Sequence, residues 1–222
     1  MWAFVAGTVA SVVVGLLVTD PTTTTTPGAL IALLAAQDFG IIAYLAVVAR
    51  YRGVGSLRAD FGFTFRPAVG TWLGGLKWVL AGVALQLAAL VPTALLEAAH
   101  GTTAKQDVVK TAEKAHSGEV VLMVLAVALL APITEELLFR GAFLRSFERR
   151  MTPDRAVFAA AVLFGVVHLL GDPSAGSLVA LPAIILLGLV SGYQAVKTGN
   201  LSRSMMLHIG FNALSAVLIF TT

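Results

Sequence analysis

The run GEVVLMVLAVALLAPITEELLFRGAFL, residues 118–144, decides how the rest of the chain is read. It is long enough to cross a bilayer as a helix, which takes about 20 apolar residues, yet it carries Glu135, Glu136 and Arg140 inside it. An ionisable group at the centre of a membrane helix costs about 2.5 to 3.5 kcal/mol on insertion scales, so each one needs a partner or a task. Outward from this run, comparable apolar stretches occur at 2–19, 28–49, 70–96, 156–170, 178–196 and 204–221. The expected fold is an all-α polytopic membrane protein, a bundle of about seven (seven or eight) transmembrane helices. Composition agrees: of 222 residues 58% are hydrophobic and 12% charged, with a mean hydropathy of +0.89. So apolar a chain cannot cover its surface with polar atoms in water. Soluble regulators and free nucleic-acid binders are thereby excluded, and the lipid bilayer is the expected partner. The absence of cysteine rules out disulfide frameworks, thiol nucleophiles and cysteine-ligated metals.

Basic residues gather in three places. Arg50, Arg52, Arg58 and Arg66 follow the second span, Arg145, Arg149, Arg150 and Arg155 follow the fourth, and Lys197 and Arg203 flank the loop after the sixth. Cytoplasmic loops carry the excess of Lys and Arg, so these loops belong on one side. The N-terminus is then cytoplasmic and the segment 97–117 exterior. The net charge of +3 is read as this orientation signal, with no nucleic-acid partner. Met1 to Val18 lacks the basic start of a signal peptide and is taken as a helix of the mature protein. The chain divides into 1–117, holding helices 1–3 with a segment 56–67 and the exterior loop 97–117, and 118–222, holding helices 4–7. The string LRADFGFTFRP at 57–67 is too short to span. It suits either an interfacial segment with Phe61, Phe63 and Phe65 in the headgroup boundary or a plain loop. The threonine run at 22–26 is a short extended turn.

Polar groups recur at helical spacing in three spans. Residues four apart lie one above the other on a helix, so Glu136 sits over Arg140, Phe164 over His168, and His208 over Asn212. Glu135 is turned about 100° from Glu136. Glu136 is therefore the natural partner of Arg140, and Glu135 is the better base. At 1.5 Å per residue, Glu135 lies about 15 Å in from Arg145, His168 about 20 Å from Arg155, His208 about 8 Å and Asn212 about 14 Å from Arg203. These depths allow one common level. Singly, a histidine or asparagine in a span is commonly hydrogen-bonded glue between helices. Together, two adjacent carboxylates, an arginine, two histidines and an asparagine add too much insertion cost for packing alone. Asp38, beside Gln37, is read as a helix–helix hydrogen bond. Lys77 and Gln86 are read as snorkelling and interhelical bonding. His100, His116, Lys105, Lys110 and Lys114 are read as a solvated loop.

Such a set can hydrolyse a peptide bond in two ways. Glu135 and His168 can polarise a water while His208 and Asn212 donate to the oxyanion. Alternatively, Glu135, His168 and His208 can hold one divalent ion, zinc being the natural choice, with water in its open position. Other plans lack support: Ser191 in GLVSGY has no evident paired base, and Asp172 in LLGDP falls in an exterior turn. An ion- or proton-coupled transporter using Asp38, Glu135 and the histidines is a competing reading, though without visible inverted repeats. A non-catalytic immunity or scaffold protein is a third.

EELLFR at 135–140, FGVVH at 164–168 and HIGFN at 208–212 resemble the EExxxR, FxxxH and HxxxN motifs of the CPBP intramembrane protease family, also called the Abi or CAAX prenyl endopeptidase family. The likeness covers the second half of the chain and includes the lead TGNLSRSMMLH into the last motif. It implies that 118–222 is a catalytic core and that the protein is an intramembrane endopeptidase acting on a membrane-associated protein or peptide. By the same resemblance Glu135 and His168 activate water, His208 and Asn212 face the oxyanion or a metal, and Glu136, Arg140 and Phe164 support the site. Family members are described both as metalloproteases and as glutamate-dependent. Well-described members have eight spans, where this chain counts seven.

Overall fold

A computed structural model describes residues 2–18, 26–65, 72–103 and 114–221. Arg66 and Pro67 of the 56–67 segment, the threonines at 22–25, and Lys105 and Lys110 lie outside the described residues. Helix α1, Trp2–Val18, is followed by α2, Pro27–Arg52, the short α3, Leu57–Phe61, and α4, Trp72–His100. A long rod, α5, runs from Ser117 to Glu148, and α6, Pro153–Gly171, α7, Ala175–Thr198, and α8, Ser202–Thr221, complete the chain. Local chemistry sets the ends. Thr26 and Ser174 accept the N–H groups of Ala29 and Ser177 at 3.2 Å, which satisfies amides that have no intrahelical partner. Pro27 and Pro153 stand in first turns, where the missing N–H costs nothing. The α7 helix stops at Gly199, whose φ of 66° is left-handed.

Five of these helices, Pro27–Arg52, Leu73–His100, Gly118–Glu148, Pro153–Gly171 and Ala175–Thr198, are long and apolar enough to cross a membrane. The first and last expected spans are helical too, as α1 and α8. Leu73, Val91, Leu95, Phe158 and Leu170 are each more than half exposed, as side chains solvated by lipid are. The protein is an all-helical, multi-pass membrane protein.

The decisive span departs from the regular α-helix that its spacing suggests. Between Ser117–Leu125, Ala131–Glu135 and Arg145–Glu148, the rod widens to π-helix at Ala126–Leu130 and Glu136–Leu144. The first widening ends just before Pro132, which lacks an N–H and whose ring crowds the preceding turn. There the N–H of Ala131 reaches back five residues to Ala126 O. Short π-helical insertions of this kind concentrate at functional sites.

Small residues let the helices close on one another. Gly82 of α4 rests on the carbonyl of Leu207 and Gly210 of α8 on that of Val79, and a Cβ at either position would overlap that oxygen. This packs α4, from the first half of the chain, tightly against the helix that carries His208 and Asn212. At one end of the bundle the basic loops meet. Arg145 donates from Nη2 to Gly199 O at 2.7 Å, and the N–H of Leu201 bonds Gly62 O at 3.0 Å. The clustering of positive charge at one end, expected from the sequence, is thus a physical contact between three loops. Within the first of them the expectation for the phenylalanines needs correction. Phe61 is buried against the backbone face of Gly141 and Phe63 is half-buried, while Phe65 is exposed. Gly62, at φ 73°, turns the chain so that Phe61 enters the core. At the other end of α3, Asp60 holds the turn at residues 53–56 by accepting the N–H groups of Val54 at 2.9 Å and Ser56 at 3.1 Å.

Candidate active site

Three helices converge on Glu135. The Nε2 atom of His168, from α6, lies 3.6 Å from Glu135 Oε1, and Nε2 of His208, from α8, lies 3.5 Å from Oε2. Both separations exceed a direct hydrogen bond, but a single water can touch acid and ring together. The two imidazoles are oriented from behind. His168 donates from Nδ1 to Phe164 O at 2.9 Å, since a carbonyl can only accept. His208 donates from Nδ1 to Glu136 Oε1, also at 2.9 Å. Each ring therefore has its Nδ1 proton fixed and its Nε2 turned to the carboxylate. Such outer partners set tautomer and ring angle.

Glu136 does pair with Arg140, at 3.2 Å, and both side chains are essentially inaccessible, at 0% and 1%. The pair binds helices as well as charges. Arg140 donates from Nη2 to Gly188 O of α7 at 3.3 Å, and its guanidinium lies 4.5 Å from the ring centre of Phe164. Phe164 in turn meets Phe139, His168 and His208 edge to face, at 4.9, 4.4 and 5.8 Å between ring centres. This aromatic ring, with its negative face to the cation, is the common wall of the site. The exposure of Glu135 and His168, 24% and 26%, contrasts with their sealed neighbours and leaves these two side chains approachable. A cavity of about 250 Å³ between Arg145, Glu148, Gly199 and Leu201 leads from the basic end down to Arg140.

Asn212 is the candidate that does not join the cluster directly. Its Nδ2 donates to Val127 O at 2.9 Å, in the first π-helical turn of α5. One amide hydrogen thus ties α8 to α5. Asp38, read from sequence as a helix–helix contact, is buried against Thr134 and within electrostatic reach of Glu135. The carbonyls of Gly188, Phe164 and Val127 were not legible in the sequence, because backbone acceptors carry no residue signature. As placed, no group of three His, Asp or Glu side chains among the described residues is spaced to hold a metal ion.

Fold and site together define a multi-pass helical membrane protein with a glutamate–histidine centre braced by a buried Glu–Arg pair. Residues 117–214, a segment that contains every motif residue from Glu135 to Asn212, match the family model described as type II CAAX prenyl endopeptidase Rce1-like. That segment is similar, in other words, to the CPBP/CAAX protease family that the three motifs resemble. A curated relative, an uncharacterized 24.3 kDa protein of Escherichia coli, is 28% identical over 91 residues. The match covers 41% of this chain and 41% of that relative's length. No solved structure gives a significant match.

Proposed function

We propose that this protein is an intramembrane endopeptidase that hydrolyses a peptide bond of a membrane-associated protein or peptide, with water activated by Glu135 and His168. One observation carries the reading: two imidazole Nε2 atoms from separate helices face the two oxygens of one accessible glutamate, while both Nδ1 atoms are held from behind. A water between Glu135 and His168 transfers its proton to the carboxylate as its oxygen attacks the carbonyl carbon. His208 can serve the oxyanion only as the imidazolium, which keeps Nδ1–H on Glu136 and donates Nε2–H to the oxyanion, with Glu136 offsetting the ring's charge. Glu135 then returns the proton to the leaving nitrogen as the C–N bond breaks, giving an acid and an amine. By the excess of Lys and Arg in cytoplasmic loops, we take the basic loops, and with them the N-terminus, to face the cytoplasm.

Glu135→Gln keeps shape and removes the base. In membranes from cells carrying this variant, an uncut precursor should accumulate that the wild type processes, with the variant protein still folded. Identical protein termini in both membranes would overturn the peptidase reading. Activity of the purified protein should survive strong chelators. Loss on chelation with recovery on adding zinc would assign the water to a divalent ion on Glu135, His168 and His208 instead.

A further inference from the structure

A second cavity, of about 520 Å³, opens at the basic end between the starts of α4 and α8 and the end of α7. Lys77, Lys197 and Arg203 line it together with Trp78, Gln194 and Leu73. No carboxylate lies among its lining residues, so three cations share one recess. Arg203 is held with its guanidinium 5.2 Å from the ring centre of Trp78. Its Nε and the Oε1 of Gln194 are buried without a hydrogen-bond partner, although buried polar atoms are nearly always paired. Two lysines and an anchored arginine donor thus converge on a space that suits an anion, while the Gln194 oxygen calls for a donor such as a headgroup hydroxyl.

Position indicates which anion. Lysine, arginine and tryptophan at the end of a membrane bundle stand at headgroup level, and basic pockets between helices there hold lipid phosphates. From the mouth of the cavity Leu73, Leu76 and Leu80 rise along α4, each at least half exposed. They form an apolar track for an acyl chain. We propose that this cavity binds the phosphate of an anionic membrane lipid, with its headgroup among Lys77, Lys197 and Arg203 and its chains along the leucines of α4. The site is separate from the Glu135 centre and does not depend on the peptidase reading. It stands about one and a half helical turns from His208 along α8.

The test is thermal unfolding of the full chain in neutral detergent with added phosphatidylglycerol, phosphatidylcholine or free glycerol phosphate, paired with native mass spectrometry of retained lipid. Phosphatidylglycerol should raise the midpoint and be retained, and phosphatidylcholine should do neither. Lys77→Gln and Lys197→Gln, both at exposed positions, should each weaken retention about fivefold without changing the midpoint of the lipid-free protein. Equal retention of both lipids, or unchanged retention in the double variant, would overturn the proposal. Stabilisation by glycerol phosphate to the same extent as by the lipid would remove the membrane from it and leave a soluble phosphate ester as the ligand. A response to the free carboxylate of an apolar peptide and to no phosphate would assign the cavity to substrate.

Discussion

Glu136→Gln tests the brace of the site. The substitution preserves volume but deletes the charge facing Arg140 across 3.2 Å, where neither side chain is more than 1% exposed. The guanidinium keeps the Gly188 carbonyl, the face of Phe164 and the Glu135 carboxylate at longer range. Breaking a buried pair from one side costs about 3–5 kcal/mol, because the survivor remains as an uncompensated charge. Glutamine retains an oxygen for His208 Nδ1–H, so the expected loss lies at about 3 kcal/mol, the lower end of that range. Arg140→Gln should lose a similar amount. In the double variant neither charge is stranded, so its loss should fall short of the sum of the single losses by about 2–3 kcal/mol. Equilibrium unfolding in mixed micelles, titrated with a denaturing detergent and followed by tryptophan fluorescence, measures all four proteins. If the two single losses add within about 0.5 kcal/mol, the pair is not coupled and the account of Glu136 as a structural brace is wrong.

Further expectations concern the same centre. His168→Ala should lower turnover about 10²- to 10⁴-fold with little change in the unfolding midpoint, since that ring is partly exposed and its short hydrogen bond runs to its own helix. His208→Ala should lose both activity and stability, because it also removes the donor to buried Glu136; equal unfolding midpoints for the two variants would contradict this. Asn212→Ala should cost about 0.6–1.7 kcal/mol by releasing Val127 O. Gly82→Ala or Gly210→Ala should destabilise by at least about 1–3 kcal/mol, since the new Cβ meets a backbone carbonyl that cannot move alone. Proteolysis of the detergent-solubilised variants would show α4 and α8 parting, and wild-type resistance would count against so close a contact.

Much of the architecture could be read from the chain because lipid imposes a simple rule: backbone groups must bond within their own helix, so apolar length alone marks the spans. The same rule made the polar residues conspicuous. Glu135, Glu136, Arg140, His168, His208 and Asn212 stand out only because their surroundings are hydrocarbon, and four-residue spacing was enough to pair Glu136 with Arg140. Spacing along one helix could not show how rings from different helices turn. That both Nε2 atoms face Glu135, that Asn212 spends a hydrogen on Val127 O, and that Phe61 leaves the surface for Gly141 follow from helix rotation and from contacts far apart in the chain. Nor could a residue list reveal the π-helical turns around Pro132 or the recess that gathers Lys77, Lys197 and Arg203. Sequence set which groups had to be withdrawn from lipid; packing set which atoms they met, because a helix fixes its own hydrogen bonds but not its orientation among its neighbours.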